Sequence, residues 1–171
     1  MKILRYILLV GGLFLILAVV NFDILAKQDT IANGRLVLLP LRPVDPRSLM
    51  QGDYMVLRYA DSTFPPAEMI GNLSSRGTLV LRLDESNIGR FARMDDGTPL
   101  APDEVRVRFK GMSGQMEPRL GAESFFFQEG DGEIYAHAKF GMLRVDPSGN
   151  SILIGLAGEN RQQLVREPAA N

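Results

Sequence analysis

A group of polar side chains surrounds a turn marked by two prolines in the first third of the chain. The group consists of Asp45, Arg47, Gln51, Asp53 and Tyr54. Asp45 is suited to accept backbone N–H bonds in an Asx-turn, and Pro46 suits the first central position of a turn. Arg47 and Asp53 bracket the turn closely enough to pair. We therefore expect one polar cluster that either holds the turn together or faces a ligand or partner.

Three carboxylates are candidates for acid–base hydrolysis: Asp45, Asp53 and Glu129. Such a hydrolase needs two carboxyl groups that converge in one pocket with separated pKa values. Hydrolysis by these carboxylates is the second hypothesis, behind a non-catalytic binding module. In a binding module, Gln128 and Glu129 are further candidate contact residues.

Ser48 is the candidate nucleophile for peptide hydrolysis. It precedes a Gly-Asp pair at Gly52 and Asp53, and membrane-anchored signal peptidases also place a nucleophilic serine ahead of such a pair. A Ser-Lys dyad needs a desolvated lysine within hydrogen-bond reach of the serine. Lys110 and Lys139 instead fall on the predicted solvated faces of strands, and the serine-to-Gly-Asp spacing differs from the peptidase pattern. A serine peptidase is therefore the less favoured enzyme.

No metal or cofactor site is predicted. The chain has no cysteine and one histidine, His137, which the alternation of its neighbours places on the polar face of a strand. A usual zinc site needs several His or Cys ligands, and the sequence indicates no Ser-His-Asp triad. Acidic pairs such as Asp95 and Asp96 lie in or beside turns, where solvation explains them, with weak calcium binding as the alternative.

An uncharged apolar segment, residues 6–22, precedes all of these candidates. As a helix it is about 26 Å long, which suits one membrane crossing. A cleaved signal peptide is the alternative, although the apolar core of such a peptide is usually about 7 to 15 residues. Lys2 and Arg5 precede the segment, so the positive-inside rule keeps the N-terminus in the cytoplasm. We expect a single-pass membrane protein whose remaining residues lie outside the cytoplasm.

The composition suits one membrane helix followed by one domain. With 171 residues and 46% hydrophobic content, the chain can bury one core without disulfides. The 19 basic and 20 acidic residues nearly balance, which disfavours a nucleic-acid partner. The predicted organisation is a cytoplasmic stub and membrane helix at residues 1–26, a linker at 27–35, a β-rich domain at 36–157 and a polar tail at 158–171.

Short alternating segments separated by turns predict an all-β domain, either an antiparallel sandwich or a partly open barrel. The predicted strands are residues 36–41, 54–59, 78–83, 89–94, 105–110, 124–128, 133–140, 142–145 and 151–156. In residues 105–110 the alternation places three apolar side chains inward and Arg106, Arg108 and Lys110 outward. Such a basic stripe is typical of a solvated face or of an edge protected by charge.

Two features of the strands bear on packing and contacts. Phe126 should face opposite to Phe125 and Phe127, either in a second core layer or as an exposed contact for a partner or lipid. Gly52 and Gly141 stand at junctions between turns and strands, where we expect an added Cβ to be strained.

The Gly-Asp-Tyr motif at residues 52–54, followed by Leu57 and Tyr59, resembles the signature of the GDYXXLXY family of membrane-anchored bacterial proteins. A second likeness is the Phe-Phe-Phe-Gln-Glu-Gly run at residues 125–130, and together they cover residues 36–156. The resemblance implies a membrane-anchored β-rich domain, and it implies no catalytic residue. Together with the expected orientation of the helix, it predicts a protein of the bacterial inner membrane with a periplasmic domain. We therefore hypothesise a binding or assembly module that contacts the bilayer through its helix and acts beside a polytopic membrane protein.

Overall fold

The computed structural model describes residues 2–42, 54–70, 74–112 and 116–166. The helices are α1 (Lys2–Asn33), α2 (Ala67–Ile70) and α3 (Gly132–Ala136), with a 3-10 turn at Asp61–Thr63. The strands are β1 (Arg35–Pro40), β2 (Tyr54–Val56), β3 (Arg76–Leu83), β4 (Gly89–Met94), β5 (Glu104–Met112), β6 (Met116–Arg119), β7 (Ser124–Phe126), β8 (Phe140–Val145) and β9 (Ser151–Ala157). One apolar helix is followed by a β-rich domain, which confirms the predicted fold class.

The strands form three sheets in which the paired strands are antiparallel. Their strand orders are β1-β8-β9, β2-β7 and β4-β3-β5-β6. The main hydrophobic core joins the three-stranded and four-stranded sheets, with Val37 and Leu143 from the first and Leu79 and Val107 from the second all buried. β1 is an edge strand that ends at Pro40, as expected for a residue without a backbone N–H.

The alternation predicted for residues 105–110 is confirmed in β5. Val107 and Phe109 are buried in the core, whereas Arg108 and Lys110 are exposed. β5 lies between β3 and β6 and is therefore not an edge strand. The basic stripe lies on the solvated face of the sheet, and the alternative of an edge protected by charge is wrong.

The helix α1 continues directly into the domain. Residues 27–33, predicted as part of a linker, are helical, so only Gly34 separates α1 from β1. The Gly34 N–H donates to the Thr30 carbonyl at 2.9 Å, and Arg144 Nη1 donates to the Gly34 carbonyl at 2.8 Å. These bonds dock the helix end onto β8, and such packing keeps a polar stretch helical. The stretch Leu8–Asn33 is long and apolar enough to cross a membrane, a description that a signal sequence also meets.

The strand predicted at residues 133–140 is wrong, because Gly132–Ala136 forms α3. The hairpin expected there does not form, since β7 pairs with β2 and not with the segment that follows it. Tyr135 contacts two phenylalanine rings of the segment around β7, which fixes the turn as a helix packed on the domain. His137 consequently ends a short helix and not a strand, and it is exposed.

The segment predicted as a polar tail, residues 158–171, folds back onto the domain in its described part. The Leu164 N–H donates to the Leu156 carbonyl at 2.8 Å. The Leu164 side chain packs against the buried cluster that contains Met55 and Leu57. The described part of this segment therefore contributes to the core beneath β2.

Gly141 makes room for the ring of Tyr59. A Cβ on residue 141 would lie 3.0 Å from Cε1 and 3.4 Å from the hydroxyl oxygen of Tyr59, whose side chain is only 2% exposed. The close approach predicted at Gly141 is therefore present, whereas Gly52 lies outside the described residues. The irregular register of β8 falls between Met142 and Leu143, one residue after the position expected for a bulge.

We expect Gly141→Val to lower the free energy of unfolding by about 1–3 kcal/mol, because the added methyl groups overpack the Tyr59 site. Thermal unfolding of the full chain in detergent micelles, followed by circular dichroism, measures the change. Gly12→Val is the matched control, because no atom lies within 4 Å of a Cβ at that position of α1. Equal transition temperatures for Gly141→Val and the wild type would contradict the packing argument.

Candidate binding surface

The structure describes three of the seven predicted site residues. The other four, Asp45, Arg47, Gln51 and Asp53, lie outside the described residues, as does the candidate nucleophile Ser48. Tyr54 is the first residue of β2, while Gln128 and Glu129 follow β7. The pairing of β2 with β7 therefore brings the described end of the signature next to the strand that leads to Gln128 and Glu129.

The outer face of the β2–β7 ribbon is aromatic and apolar. The antiparallel register places Tyr54 opposite Phe126 and Val56 opposite Ser124. The ring centroids of Tyr54 and Phe126 are 5.6 Å apart, within the range of favourable aromatic contacts. The Phe126 side chain is 72% exposed and that of Val56 is 38% exposed. We call Tyr54, Val56 and Phe126 the aromatic ridge.

A second aromatic layer lies on the opposite face of the ribbon and supports it. Phe125 meets Tyr135 edge to face with ring centroids 4.9 Å apart, and Phe127 lies 5.4 Å from the same tyrosine. Both phenylalanines pack against the buried cluster that includes Met55. Phe125 and Phe127 thus share one face, as predicted. Phe126 is exposed on the other face, so it does not form a second core layer.

The family signature divides between the core and the surface. Leu57 and Tyr59 are buried, and the Tyr59 hydroxyl donates a hydrogen bond to the Ala122 carbonyl. Burial raises the pKa of Tyr59 well above its usual range, and the nearby charge of Glu123 adds to this effect. Tyr59 is therefore an uncharged structural donor, whereas Tyr54 belongs to the surface.

Gln128 and Glu129 are exposed at the end of the ribbon. The Gln128 carbonyl accepts the N–H of Asp131 at 3.0 Å, which starts the turn into α3. Arg166 Nη1 lies 3.5 Å from Gln128 Oε1 and 3.5 Å from Asp131 Oδ1. The C-terminal segment therefore borders the ribbon at this end, and Gln128 and Glu129 form a polar rim beside the aromatic ridge.

Acidic residues in the described turns bind backbone N–H groups. Asp84 Oδ1 accepts the N–H groups of Ser86 and Ile88 at 2.8 and 3.0 Å. Within the part of the chain that the structure describes, no group of three or more His, Cys, Asp or Glu side chains is arranged to hold a metal ion.

The chain was compared with protein families, curated proteins and solved structures. A family model described as GDYXXLXY protein matches residues 16–156, from within α1 to the penultimate residue of β9. No curated protein and no solved structure matches the chain. The matched range includes both halves of the aromatic ridge and the buried Leu57 and Tyr59. The chain therefore belongs to the GDYXXLXY protein family.

Proposed function

We propose that this protein is a membrane-anchored, extracytoplasmic, non-catalytic module that binds an integral membrane protein through its aromatic ridge. The observation that carries the proposal is Phe126, which is 72% exposed although it is held in place by its stacking on Tyr54. Exposed aromatic anchors on a fixed base are typical of the energetic centres of protein interfaces. Gln128 and Glu129 supply the polar rim that such centres require.

The anchoring part of the proposal rests on α1. Large apolar side chains along this helix, among them Leu9, Phe14 and Phe22, are exposed, and lipid is the environment in which such a surface is stable. Lys2 and Arg5 precede the apolar stretch, which favours a cytoplasmic N-terminus and a periplasmic domain in the bacterial inner membrane.

The class of partner follows from the junction between helix and domain. Because α1 runs to Asn33 and its end is bonded to Arg144 through Gly34, the domain has little freedom to move away from the bilayer. The aromatic ridge is therefore held at a fixed distance from the bilayer. It can reach a partner in the same membrane, such as a polytopic protein with extracytoplasmic loops. Confinement to one membrane also raises the effective concentration of the two proteins.

We expect a photoreactive phenylalanine analogue at position 126 to crosslink to one integral membrane protein in native membranes. The same analogue at Met69, which is 42% exposed on α2, is the matched control and should not capture that protein. Mass spectrometry identifies the adduct. The same product from both positions, or no membrane protein at position 126, would contradict the proposal.

A second experiment measures the affinity for the protein identified in this way. Phe126→Ser should weaken binding about 30-fold, the effect of a typical interface anchor, while the folded domain is kept. Thermal unfolding of the variant checks the fold, since an exposed side chain contributes little to the core. Wild-type affinity in Phe126→Ser would show that the ridge is not the interface.

Hydrolysis remains the alternative hypothesis, without a described site to support it. Glu129 is exposed, and its candidate partners Asp45 and Asp53 lie outside the described residues. Lys110 and Lys139, the two lysines considered for a Ser48 dyad, are exposed, so neither is the desolvated base that such a dyad needs.

A further inference from the structure

Four cations lie together on the outer face of the four-stranded sheet. The register places Arg76 of β3 opposite Lys110 of β5, and Lys110 opposite Arg119 of β6. Directly opposed residues in antiparallel strands project from the same face of the sheet. Arg108 lies two residues before Lys110 and therefore shares that face. We call Arg76, Arg108, Lys110 and Arg119 the cation row.

Such a row has an energetic cost, because like charges directly opposite each other destabilise a sheet. No ion pair joins Arg76, Lys110 or Arg119 to a carboxylate in the part of the chain that the structure describes. Arg108 Nη1 donates to the neutral amide oxygen of Asn150 at 2.9 Å, and among the described residues Arg108 has no ion pair either.

Three basic residues towards the other end of the same sheet, Arg82, Arg93 and Arg106, are paired with carboxylates. Arg90 of β4 has no ion pair among the described residues. Arg93 donates to Glu104 Oε2 at 3.1 Å, and Arg106 Nε donates to Asp95 Oδ2 at 2.9 Å. Bonds from the Ala101 N–H and from Arg93 hold the pKa of Glu104 below its usual range, so this carboxylate stays charged. The contrast within one sheet indicates that the uncompensated row is not a general property of its surface.

The cation row lines a cleft of about 560 Å³. Its walls also include Thr78, Leu120, Gly121, Asn150 and Ser151. Glu123 borders the adjoining concavity, but its Oε1 already accepts the N–H groups of Leu120 and Gly121 at 2.5 and 3.1 Å. Guanidinium groups bind phosphate through two parallel N–H bonds, and an ammonium adds a point charge. The cleft therefore combines the groups and the room that a phosphate needs.

One wall of the cleft is joined to the three-stranded sheet by the turn between β8 and β9. The Arg108 N–H donates to the Gly149 carbonyl at 2.8 Å, in the turn that connects β8 to β9. β8 ends before this turn at Val145, which pairs with Arg35, the first residue of β1. Gly34 and α1 precede Arg35 directly, and Arg35 Nη1 donates to the Glu104 carbonyl at 3.1 Å. The helix end therefore lies at the Glu104 end of β5, and the turn connects the three-stranded sheet to the cleft.

We propose that the cation row binds a phosphate group, carried by an anionic lipid headgroup or free in solution. The two sources present the same phosphate chemistry, and the lipid source rests on the proposed membrane anchoring. Each cation near an anionic bilayer surface contributes about fivefold to binding, so the four together form a substantial electrostatic contact.

The first test uses the full chain in neutral detergent and inorganic pyrophosphate as the probe, measured by titration calorimetry. Binding should fall by about tenfold or more in the double variant Arg76→Gln/Arg119→Gln, because each arginine removed takes charge-assisted hydrogen bonds from the phosphate. Arg90→Gln is the matched control, because Arg90 is exposed on β4 of the same sheet and does not line the cleft. It should bind pyrophosphate as the wild type does.

The second test places the full chain in nanodiscs of phosphatidylcholine, with and without phosphatidylglycerol, and follows amide hydrogen exchange in β5 and β6. Phosphatidylglycerol should slow exchange in the wild type and in Arg90→Gln but not in the double variant. If phosphatidylglycerol slows exchange but pyrophosphate does not bind, the phosphate comes from a lipid headgroup. If pyrophosphate binds but phosphatidylglycerol does not slow exchange, the ligand is a free phosphate. Either result supports the site.

The proposal is overturned if neither probe distinguishes the double variant from Arg90→Gln. It is also overturned if the double variant melts at a lower temperature than the wild type, because the row would then be structural. Removal of like-charge repulsion should instead leave the melting temperature equal or higher. The detergent experiment does not depend on the bilayer or on Phe126, so its outcome is separate from that of the proposed function.

Discussion

A reporter enzyme that is active only outside the cytoplasm should be active when it is fused after Asn171. Lys2 and Arg5 stand before the apolar stretch of α1, and basic residues on one side of a membrane helix retain that side in the cytoplasm. The stretch Leu8–Asn33 is apolar and long enough to cross, and large apolar side chains along it, such as Leu9 and Phe14, are exposed. We therefore expect the domain that follows to lie on the far side of the membrane.

Replacement of Lys2 and Arg5 with glutamate, together with Asp23→Lys, is the control for this orientation. The variant should reduce reporter activity while expression is maintained, because the charge bias across the helix is reversed. An inactive reporter on the wild-type chain at normal expression would contradict the topology. A soluble mature product that lacks α1 would instead identify the helix as a cleaved signal sequence.

Local periodicity predicted which faces of the strands are buried. Met55, Leu57 and Tyr59 are buried while Val56 and Arg58 are exposed, as the alternation in residues 54–59 indicates. This pattern depends only on the neighbours of each residue along the chain. It is therefore readable without knowledge of the strand partners.

Strand partners could not be predicted in the same way. The turn residues at 130–132 are typical of a hairpin, yet β7 pairs with β2 from the first third of the chain, and the segment expected as its partner becomes α3. Pairing between distant segments depends on the packing of the whole domain, which no local pattern contains.

The same reason explains why the cation row was missed. The alternation predicted the outward stripe of Arg106, Arg108 and Lys110, but Arg76 and Arg119 come from other strands. Only the register of β3 and β6 against β5 places them beside Lys110. A shift of one residue would turn either side chain to the opposite face of its strand.

The candidate surface was predicted in part. Tyr54, Gln128 and Glu129, predicted as candidate contact residues, lie on or beside the proposed surface, and Phe126 was expected either in a core or at a contact. The Phe126 side chain is 72% exposed and its ring lies against that of Tyr54, so it belongs to the surface and not to a second core layer. Composition alone could not decide, because a phenylalanine in a strand fits a second core layer equally well.

The two tyrosines of the signature should respond very differently to truncation. Tyr59→Ala removes a ring that is 2% exposed and leaves the Ala122 carbonyl without its hydroxyl donor. We expect it to lower the free energy of unfolding by about 3–5 kcal/mol, which is a large part of the stability of a typical domain. Tyr54→Ala removes a half-buried ring of the aromatic ridge and should cost about 1 kcal/mol or less.

Thermal unfolding of the full chain in detergent micelles, with both variants side by side, measures this difference. Each variant then serves as the matched control for the other, because the chemical change is the same and the positions differ by five residues. Crosslinking from position 126 completes the comparison: Tyr54→Ala should fold and lose the partner, since Phe126 loses the ring that orients it. A Tyr54→Ala domain as unstable as Tyr59→Ala would mean that the whole signature serves the fold. Nothing would then distinguish the aromatic ridge from the core residues, and the proposed binding role of the ridge would be wrong.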